Sequence, residues 1–228
     1  MNKRGRPGRA ASRPEDDTQK SLVLASSLTT GPEPPKPQAR TGLFRLLAED
    51  VRTVVERDPS VRTFTEALLH PALPALCAHR VAHLLHARGA RLWARALMTT
   101  ARAVTGTEIH PGATLGRRVF IDHGAAVVIG ETAVVGDDVT IYHQVTLGAV
   151  GWWRDNRRPP GERRHPVVGN GTVLGTGATV LGPVTIGDRV VVGARALVLT
   201  DLADDTHVSG THPPAEPHTA PPSTARTP

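Results

Sequence analysis

The sequence predicts a mainly β protein: a left-handed parallel β-helix of hexapeptide repeats, preceded by a small α-helical region. The main observation is an aliphatic residue that recurs at every sixth position, with two phase breaks, between residues 109 and 198. A second observation is that only 3% of the residues are aromatic, so the core must be built from aliphatic side chains. A third is that glycine often follows the recurring residue. The recurring positions are Ile109, Leu115, Ile121, Ile129, Val135, Ile141, Leu147, Val168, Leu174, Val180, Ile186, Val192 and Val198.

A period of six is typical of neither a helix nor a simple hairpin series. It is typical of a triangular coil, in which each aliphatic side chain points inward and stacks on its equivalent one coil later. Pairs such as Gly136-Asp137 are predicted to form the corners, where tight turns need a permissive backbone. The phase breaks twice, at a two-residue insertion between Ile121 and Ile129 and at a loop over residues 149–166.

The two ends of the chain are predicted to be disordered. Residues 1–41 form a basic arm with eight Lys or Arg against four Asp or Glu side chains, and residues 211–228 are rich in Pro and Thr. A basic arm can contact nucleic acid or anionic lipid, but this composition is that of a solvated tail, so neither partner is expected. No stretch has the length and apolarity of a signal peptide or a membrane span, so we expect a cytoplasmic location.

Residues 42–104 are predicted to be α-helical, and residues 105–210 to form the β-helix domain. Asp58-Pro59 has the pattern of an N-cap followed by proline at the first helical position, which predicts that a helix begins there. Gly89 interrupts the Ala/Leu/Arg-rich stretch that follows. The sequence has one cysteine, Cys77, which is too few for a disulfide framework or a Cys-based zinc site. Cys77 is interpreted as a small core residue.

Polar residues cluster at places that the repeat itself does not need. They are found in Glu108-Ile-His-Pro, Ile121-Asp-His-Gly, Ile141-Tyr-His-Gln and Arg164-His-Pro. Together with Val128-Ile-Gly-Glu-Thr, and with Arg57-Asp-Pro upstream, these motifs resemble the serine O-acetyltransferases in their short form, over roughly residues 42–210. The repeat alone would indicate only the wider hexapeptide acyltransferase superfamily.

The resemblance implies transfer of an acetyl group from acetyl-CoA, the co-substrate, to the hydroxyl of L-serine, giving O-acetyl-L-serine for cysteine biosynthesis, with no metal. It implies a general base and a carboxylate that supports it, groups that bind the substrate ammonium and carboxylate, and a cofactor groove. His123 matches the base, and Glu108 matches the carboxylate that supports it. Asp58 and Asp122 match the groups that bind the ammonium, and Arg164 and His165 match those that bind the carboxylate. The cofactor groove is matched by Gly148, Ala149, Thr176 and Ala194.

The residue types suit this chemistry without the family name. A serine hydroxyl is a poor nucleophile at pH 7, and a neutral imidazole such as that of His123 can activate it. A carboxylate on the other ring nitrogen fixes the tautomer and stabilises the imidazolium. Asp122 and Arg164 offer opposite charges to a zwitterionic amino acid. The thioester is already activated, so direct attack in a ternary complex is sufficient.

The sequence leaves alternatives open. Glu108 can instead pair with Arg117 or Arg118, and Asp58 can serve only as a helix cap. The acceptor can be another hydroxyl compound, such as a homoserine-like amino acid or a sugar. A metal-dependent hydratase is a further alternative, with zinc held by His123, His143 and His165. A binding or scaffold role without catalysis is the last.

The 149–166 loop carries five arginines and is predicted to cover the cofactor, with some of the arginines binding its phosphates; a solvated basic loop is the alternative. Ala149 stands where the family usually has a second glycine, which could narrow the cofactor channel. The chain is expected to form a homotrimer or a dimer of trimers, with each active site between subunits. Because the last residue is Pro228 and not isoleucine, association with cysteine synthase is not expected.

Overall fold

The computed structural model describes residues 42–155, 157–159 and 161–210. The arm and the tail that the sequence predicts to be disordered lie outside these ranges. Among the described residues, no helix combines the length and apolarity needed to cross a membrane.

Among the described residues, four helices precede the strands: α1 (Leu43–Arg57), α2 (Phe64–Ala67), α3 (Leu73–Ala87) and α4 (Arg91–Thr105). The prediction that a helix begins at Asp58 is wrong, because Asp58 instead follows the end of α1. The next helix starts six residues later with a capping box, in which Thr63 and Glu66 each satisfy a backbone N–H of the other. Gly89 separates α3 from α4 as predicted, with a positive φ of 85°.

A buried ion pair attaches the helices to the β-helix. The guanidinium of Arg80 in α3 donates two hydrogen bonds to the carboxylate of Asp50 in α1, each 3.0 Å long. The same guanidinium donates to the carbonyls of Leu115 and Gly116 at 2.8 Å. Removing one partner would leave a buried charge unpaired, which is strongly destabilising. This contact fixes where α1, and therefore the segment after it, lies over the first coil.

Fourteen short parallel strands follow among the described residues. They are β1 (Glu108–Ile109), β2 (Thr114–Leu115), β3 (Phe120–Ile121), β4 (Val128–Ile129), β5 (Val134–Val135), β6 (Thr140–Ile141), β7 (Thr146–Gly148), β8 (Val167–Val168), β9 (Val173–Leu174), β10 (Thr179–Leu181), β11 (Thr185–Ile186), β12 (Val191–Val192), β13 (Leu197–Val198) and β14 (His207–Val208).

The strands form the three faces of a left-handed parallel β-helix, which confirms the predicted fold. Face 1 contains β1, β4, β7, β10 and β13; face 2 contains β2, β5, β8 and β11; face 3 contains β3, β6, β9, β12 and β14. All thirteen recurring aliphatic residues are buried, at 8% exposure or less. They pair in register between coils, as in the face 1 series Ile109, Ile129, Leu147, Val180 and Val198.

The corner between faces 2 and 3, corner 2–3, is closed by a ladder of side chains. The Oδ1 atoms of Asp137, Asn170, Asp188 and Asp204 accept the backbone N–H of Arg117, Asp137, Asn170 and Asp188 respectively, at 2.6–2.9 Å. A Cβ on the glycine before Asp137 would lie 2.7 Å from the Oδ1 of Asn170. The Gly-Asp and Gly-Asn pairs therefore form corners as predicted.

Candidate functional site

His123 lies at the corner between faces 3 and 1, corner 3–1, in the two-residue insertion. The N–H of Gly124 donates to the carbonyl of Asp122 at 2.7 Å, which makes His123 the centre of a γ-turn with a φ of 59°. A positive φ at this position is the rarer and more strained form of the turn. The Thr107 hydroxyl holds the turn by donating to the Gly124 carbonyl at 2.8 Å. The insertion thus projects the His123 side chain, which is 68% exposed, out of the coil.

Two carboxylates lie beside this imidazole. The Oδ2 of Asp122 is 3.7 Å from Nε2 of His123. Asp58, in the segment after α1, lies close enough for the charge of His123 to act on it. Hydrogen bonds from Ser60 hold the pKa of Asp58 below its ordinary value, and His70 and His123 add to this effect. The structure therefore brings Asp58, Asp122 and His123 together, as the resemblance implies, and keeps Asp58 ionised.

Glu108 is the first residue of face 1, and its carboxylate has a partner outside this group. Its backbone N–H donates to the carbonyl of Val127, which ends the His123 corner. Its side chain pairs with Arg102 in the last turn of α4, with Nη1 and Oε2 3.0 Å apart. Both side chains are about half exposed, so the pair is weak and exchangeable. The structure therefore directs the Glu108 carboxylate to α4 and not to His123.

The alternative prediction, that Glu108 pairs with Arg117 or Arg118, is wrong. Arg117 pairs with Glu49 of α1 at 2.6 Å, and Arg118 pairs with Asp138. Both arginines lie at corner 2–3 of the coil, whereas Glu108 begins face 1. The reason is geometric, because the chain already turns through more than one corner in the nine positions from Glu108 to Arg117.

Arg164 and His165 lie at the corner between faces 1 and 2, corner 1–2, and Thr132 organises both. The Thr132 hydroxyl oxygen accepts the backbone N–H of Arg164 at 2.9 Å and of His165 at 3.1 Å. Its own proton is then free to go to Nδ1 of His165, 2.8 Å away. The Thr132 N–H also donates to that nitrogen at 3.2 Å. His165 therefore carries its proton on Nε2, the form that can donate to a carboxylate.

His165 is also buried, at 8% exposure. Burial, followed by the charge of Arg164, lowers its pKa, so the ring is neutral at pH 7. A Cβ on Gly130 would lie 2.0 Å from Cδ2 of His165, so only glycine allows the ring this position. The Arg164 guanidinium meets the Glu131 carboxylate at 2.6 Å. An incoming carboxylate must therefore compete with Glu131 for Arg164.

One chain does not bring all the predicted substrate residues together. Asp58, Asp122 and His123 lie at corner 3–1, whereas Arg164 and His165 lie at corner 1–2. A face of about five residues separates the two corners by roughly 15 Å. The ammonium and carboxylate groups of one amino acid are much closer than this.

The predicted cofactor residues divide in the same way. Thr176 and Ala194 occupy corner 3–1 on successive coils below His123, and the N–H of Arg195 donates to the Thr176 carbonyl at 2.8 Å. Gly148 and Ala149 lie at corner 1–2, where face 1 gives way to the long loop. A Cβ on Gly148 would lie 2.8 Å from Cδ2 of Leu181. The predicted cofactor residues of one chain therefore lie at two different corners.

The loop contains a short helix, α5 (Trp152–Asp155), and covers a cavity of about 550 Å³ at corner 1–2. Of the loop arginines whose side chains the structure describes, three are engaged within the chain. Arg158 meets Asp155 at 3.4 Å, Arg163 donates to the Pro183 carbonyl, and Arg164 pairs with Glu131. Arg157 is exposed. Binding of cofactor phosphates by this loop remains a prediction, for which Arg157 is the best placed of the loop arginines whose side chains the structure describes.

Sequence reasoning missed Thr132, Glu131 and His70. Thr132 and Glu131 stand in the quoted Val-Ile-Gly-Glu-Thr motif, which was the available signal. His70 has no motif and becomes visible only through its contacts. Within residues 42–210, apart from 156 and 160, no three His, Cys, Asp or Glu side chains are grouped so that they could hold a metal ion.

Known proteins resemble this chain in sequence and in fold. A model of the bacterial transferase hexapeptide family (six repeats) matches residues 165–200. A serine acetyltransferase of Helicobacter pylori is 50% identical over 157 residues, which are 68% of this chain and 88% of that protein. The structure of Neisseria gonorrhoeae serine acetyltransferase with serine has a TM-score of 0.67 at 34% identity, covering 77% of this chain and 68% of that one. The Brucella abortus enzyme with coenzyme A has a TM-score of 0.68 at 34% identity, covering 74% and 65%.

Proposed function

The chain belongs to the serine acetyltransferase family, and we propose that it transfers the acetyl group of acetyl-CoA to the hydroxyl of L-serine, giving O-acetyl-L-serine. The observation on which this rests is the convergence of Asp58, Asp122 and His123 at one exposed corner. Two carboxylates suit an ammonium group, and the imidazole beside them suits the hydroxyl one carbon further along the acceptor.

His123 acts as the general base. Its imidazole takes the proton of the serine hydroxyl while the oxygen attacks the thioester carbonyl carbon. A C–O bond forms, the C–S bond breaks, and the proton passes from the imidazolium to the departing CoA thiolate. A base in this position contributes about 10²–10⁴-fold to the rate. Glu108 supports the imidazolium once its carboxylate leaves Arg102.

The complete site forms between two copies of the chain in a homotrimer. Corner 3–1 of one subunit supplies His123 and the two aspartates. Corner 1–2 of the next subunit supplies Arg164 and His165, which bind the serine carboxylate. This arrangement is supported by the separation of the two corners within one chain, which is too large for one amino acid to span.

The same junction accommodates acetyl-CoA. Thr176 and Ala194 of one subunit line the pantetheine arm below His123. Gly148 and Ala149 of the neighbouring subunit line its other side, where the small side chains leave room for the thioester.

The experiment is steady-state thiol release from acetyl-CoA with L-serine, L-homoserine and a galactoside as acceptors. L-Serine is expected to have the highest kcat/KM, and mass spectrometry should identify O-acetyl-L-serine. Release without an acceptor, and release by His123→Asn protein, give the background. A higher kcat/KM with the galactoside, or no product with L-serine, would overturn the proposal.

A further inference from the structure

His70 is a buried histidine that the mechanism above does not use. It lies in the turn between α2 and α3 and is only 5% exposed. Its ring contacts that of Phe120 in β3, with centroids 5.6 Å apart. Phe120 stands two residues before Asp122, so the contact links the turn to the strand that leads into the site.

The other edge of the ring faces Asp58. Nε2 of His70 is 3.8 Å from Oδ2 of Asp58. The second oxygen of that carboxylate, Oδ1, already accepts the Ser60 N–H at 2.9 Å and the Ser60 hydroxyl at 2.6 Å. Oδ2 is therefore the oxygen left for an ammonium group, and His70 lies beside it.

The ring nitrogens identify the tautomer. Nδ1 of His70 is buried and has no hydrogen-bond partner among the described residues. A proton there would be a buried donor without an acceptor, which is costly. On Nε2 the proton faces the Asp58 carboxylate, and at 3.8 Å the contact is electrostatic and longer than a hydrogen bond. His70 is thus arranged to direct one N–H to Asp58.

The ring performs this role without a positive charge. Burial lowers the pKa of His70 against the opposing effect of Asp58 and Asp122, and the charge of His123 lowers it further. A neutral ring leaves the negative charge of Asp58 available to a cation. A protonated ring would neutralise it.

We propose that His70 is a positioning residue for the amino group of the acceptor. Its Nε2–H orients Oδ2 of Asp58, and its ring packing on Phe120 fixes Asp58 relative to Asp122. The inference rests on the proposed function, in which the two aspartates bind the ammonium group of serine. In this role, His70 helps the enzyme to select an amino acid over a hydroxy acid that lacks the amino group.

The test compares His70→Phe with the parent on two ligands. L-Serine is the acceptor, and 3-hydroxypropanoate, which has the hydroxyl and carboxylate but no ammonium, is the competitive inhibitor. His70→Phe keeps the ring and removes the N–H, and we expect it to raise the KM for L-serine about tenfold. The KM for acetyl-CoA and the Ki for 3-hydroxypropanoate should stay within about twofold of the parent. His70→Gln, which restores a donor, should recover most of the loss.

A double-mutant cycle tests whether the effect passes through Asp58. In an Asp58→Asn background, His70→Phe should have no further effect on the KM for L-serine. Should His70→Phe fail to fold, His70→Asn gives the same comparison, because its amide is too short to reach Asp58.

The matched control is His79→Phe. His79 is also buried, and its Nδ1 likewise has no hydrogen-bond partner among the residues that the structure describes, but its Nε2 donates to the Ala113 carbonyl at 3.1 Å, away from the site. The control should lower the melting temperature and leave the KM for L-serine unchanged. An unchanged KM in His70→Phe, or an equal rise in the Ki for 3-hydroxypropanoate, would overturn the inference. A parent enzyme that makes no product from L-serine would instead overturn the proposed function itself.

Discussion

His123 and His143 lie edge to face, with ring centroids 5.6 Å apart, although twenty residues separate them in the chain. They occupy corner 3–1 on successive coils, and the two-residue insertion accounts for the spacing of twenty rather than eighteen. Nδ1 of His143 is buried without a hydrogen-bond partner among the described residues. The contact is therefore one of packing, in which His143 supports one side of the His123 ring.

This contact separates two kinds of substitution. His123→Ala should lower kcat by about 10²–10⁴-fold, because it removes the base, and should leave acetyl-CoA affinity nearly unchanged. His143→Ala removes only ring packing and should lower kcat less than about tenfold. Steady-state thiol release and calorimetric titration with CoA measure both. If His123→Ala keeps most of its turnover with L-serine, the base is another residue.

The second prediction concerns Glu108. Glu108→Gln should lower kcat less than His123→Ala, and the double variant should be little worse than His123→Ala alone, since the two residues act as one unit. Arg102→Gln, which frees the carboxylate, should keep kcat within about threefold of the parent. Additive effects of the two site substitutions would show that Glu108 instead serves mainly as the partner of Arg102.

Gly130 provides the third prediction. Because a Cβ here would lie 2.0 Å from His165, Gly130→Ala should displace the imidazole and destabilise the fold by about 1–3 kcal/mol. It should also raise the KM for L-serine more than the KM for acetyl-CoA. Gly42→Ala is the control, since a Cβ there would have no atom within 4 Å. Equal KM changes for both substrates would separate His165 from carboxylate binding.

The fourth prediction is a pH dependence of stability. Burial lowers the pKa of His79 to about 3, against about 6.5 in an unfolded chain. Between these values the unfolded chain binds a proton at His79 that the folded chain does not. His79 therefore does not reduce the free energy of unfolding above pH 6.5, and it reduces that free energy progressively as the pH decreases toward 3. His79→Gln keeps a donor but cannot titrate, so it should reduce the slope by up to about 1.4 kcal/mol per pH unit.

Urea unfolding at one protein concentration, from pH 7 to pH 4, measures that slope. His207→Gln, at an exposed histidine, is the control and should leave it unchanged. A His79→Gln slope equal to that of the parent would show that His79 becomes protonated in the folded state at little cost.

The fifth prediction tests the shared site. Separately, His123→Ala and Arg164→Ala proteins should have little activity. Mixed and reassembled in equal amounts, they should recover up to about a quarter of the parent activity, because one junction in four then combines an intact His123 with an intact Arg164. No recovery despite exchange of subunits would place the whole site within one chain. A monomer at micromolar concentration in light scattering would exclude the trimer.

The fold could be predicted because every coil repeats the same constraint: one aliphatic residue must fill a narrow interior at each sixth position. The contacts of the site are harder to predict, because they depend on how the helices lie on the first coil. Nothing in the sequence directs Arg102 toward Glu108. The start of α2 is predictable from the capping-box spacing of Thr63 and Glu66. The Asp58-Pro59 pattern, which is equally typical of a helix start, instead follows the end of α1.

The insertion at corner 3–1 has a consequence for redesign. Ile121 still pairs with Ile141, and Ile129 with Leu147, so two additional residues leave the register of both neighbouring faces intact. The length of a corner can therefore change without repacking the interior. New chemistry can be introduced by grafting segments of different length between Ile121 and Ile129, while the remainder of the sequence continues to specify the same architecture.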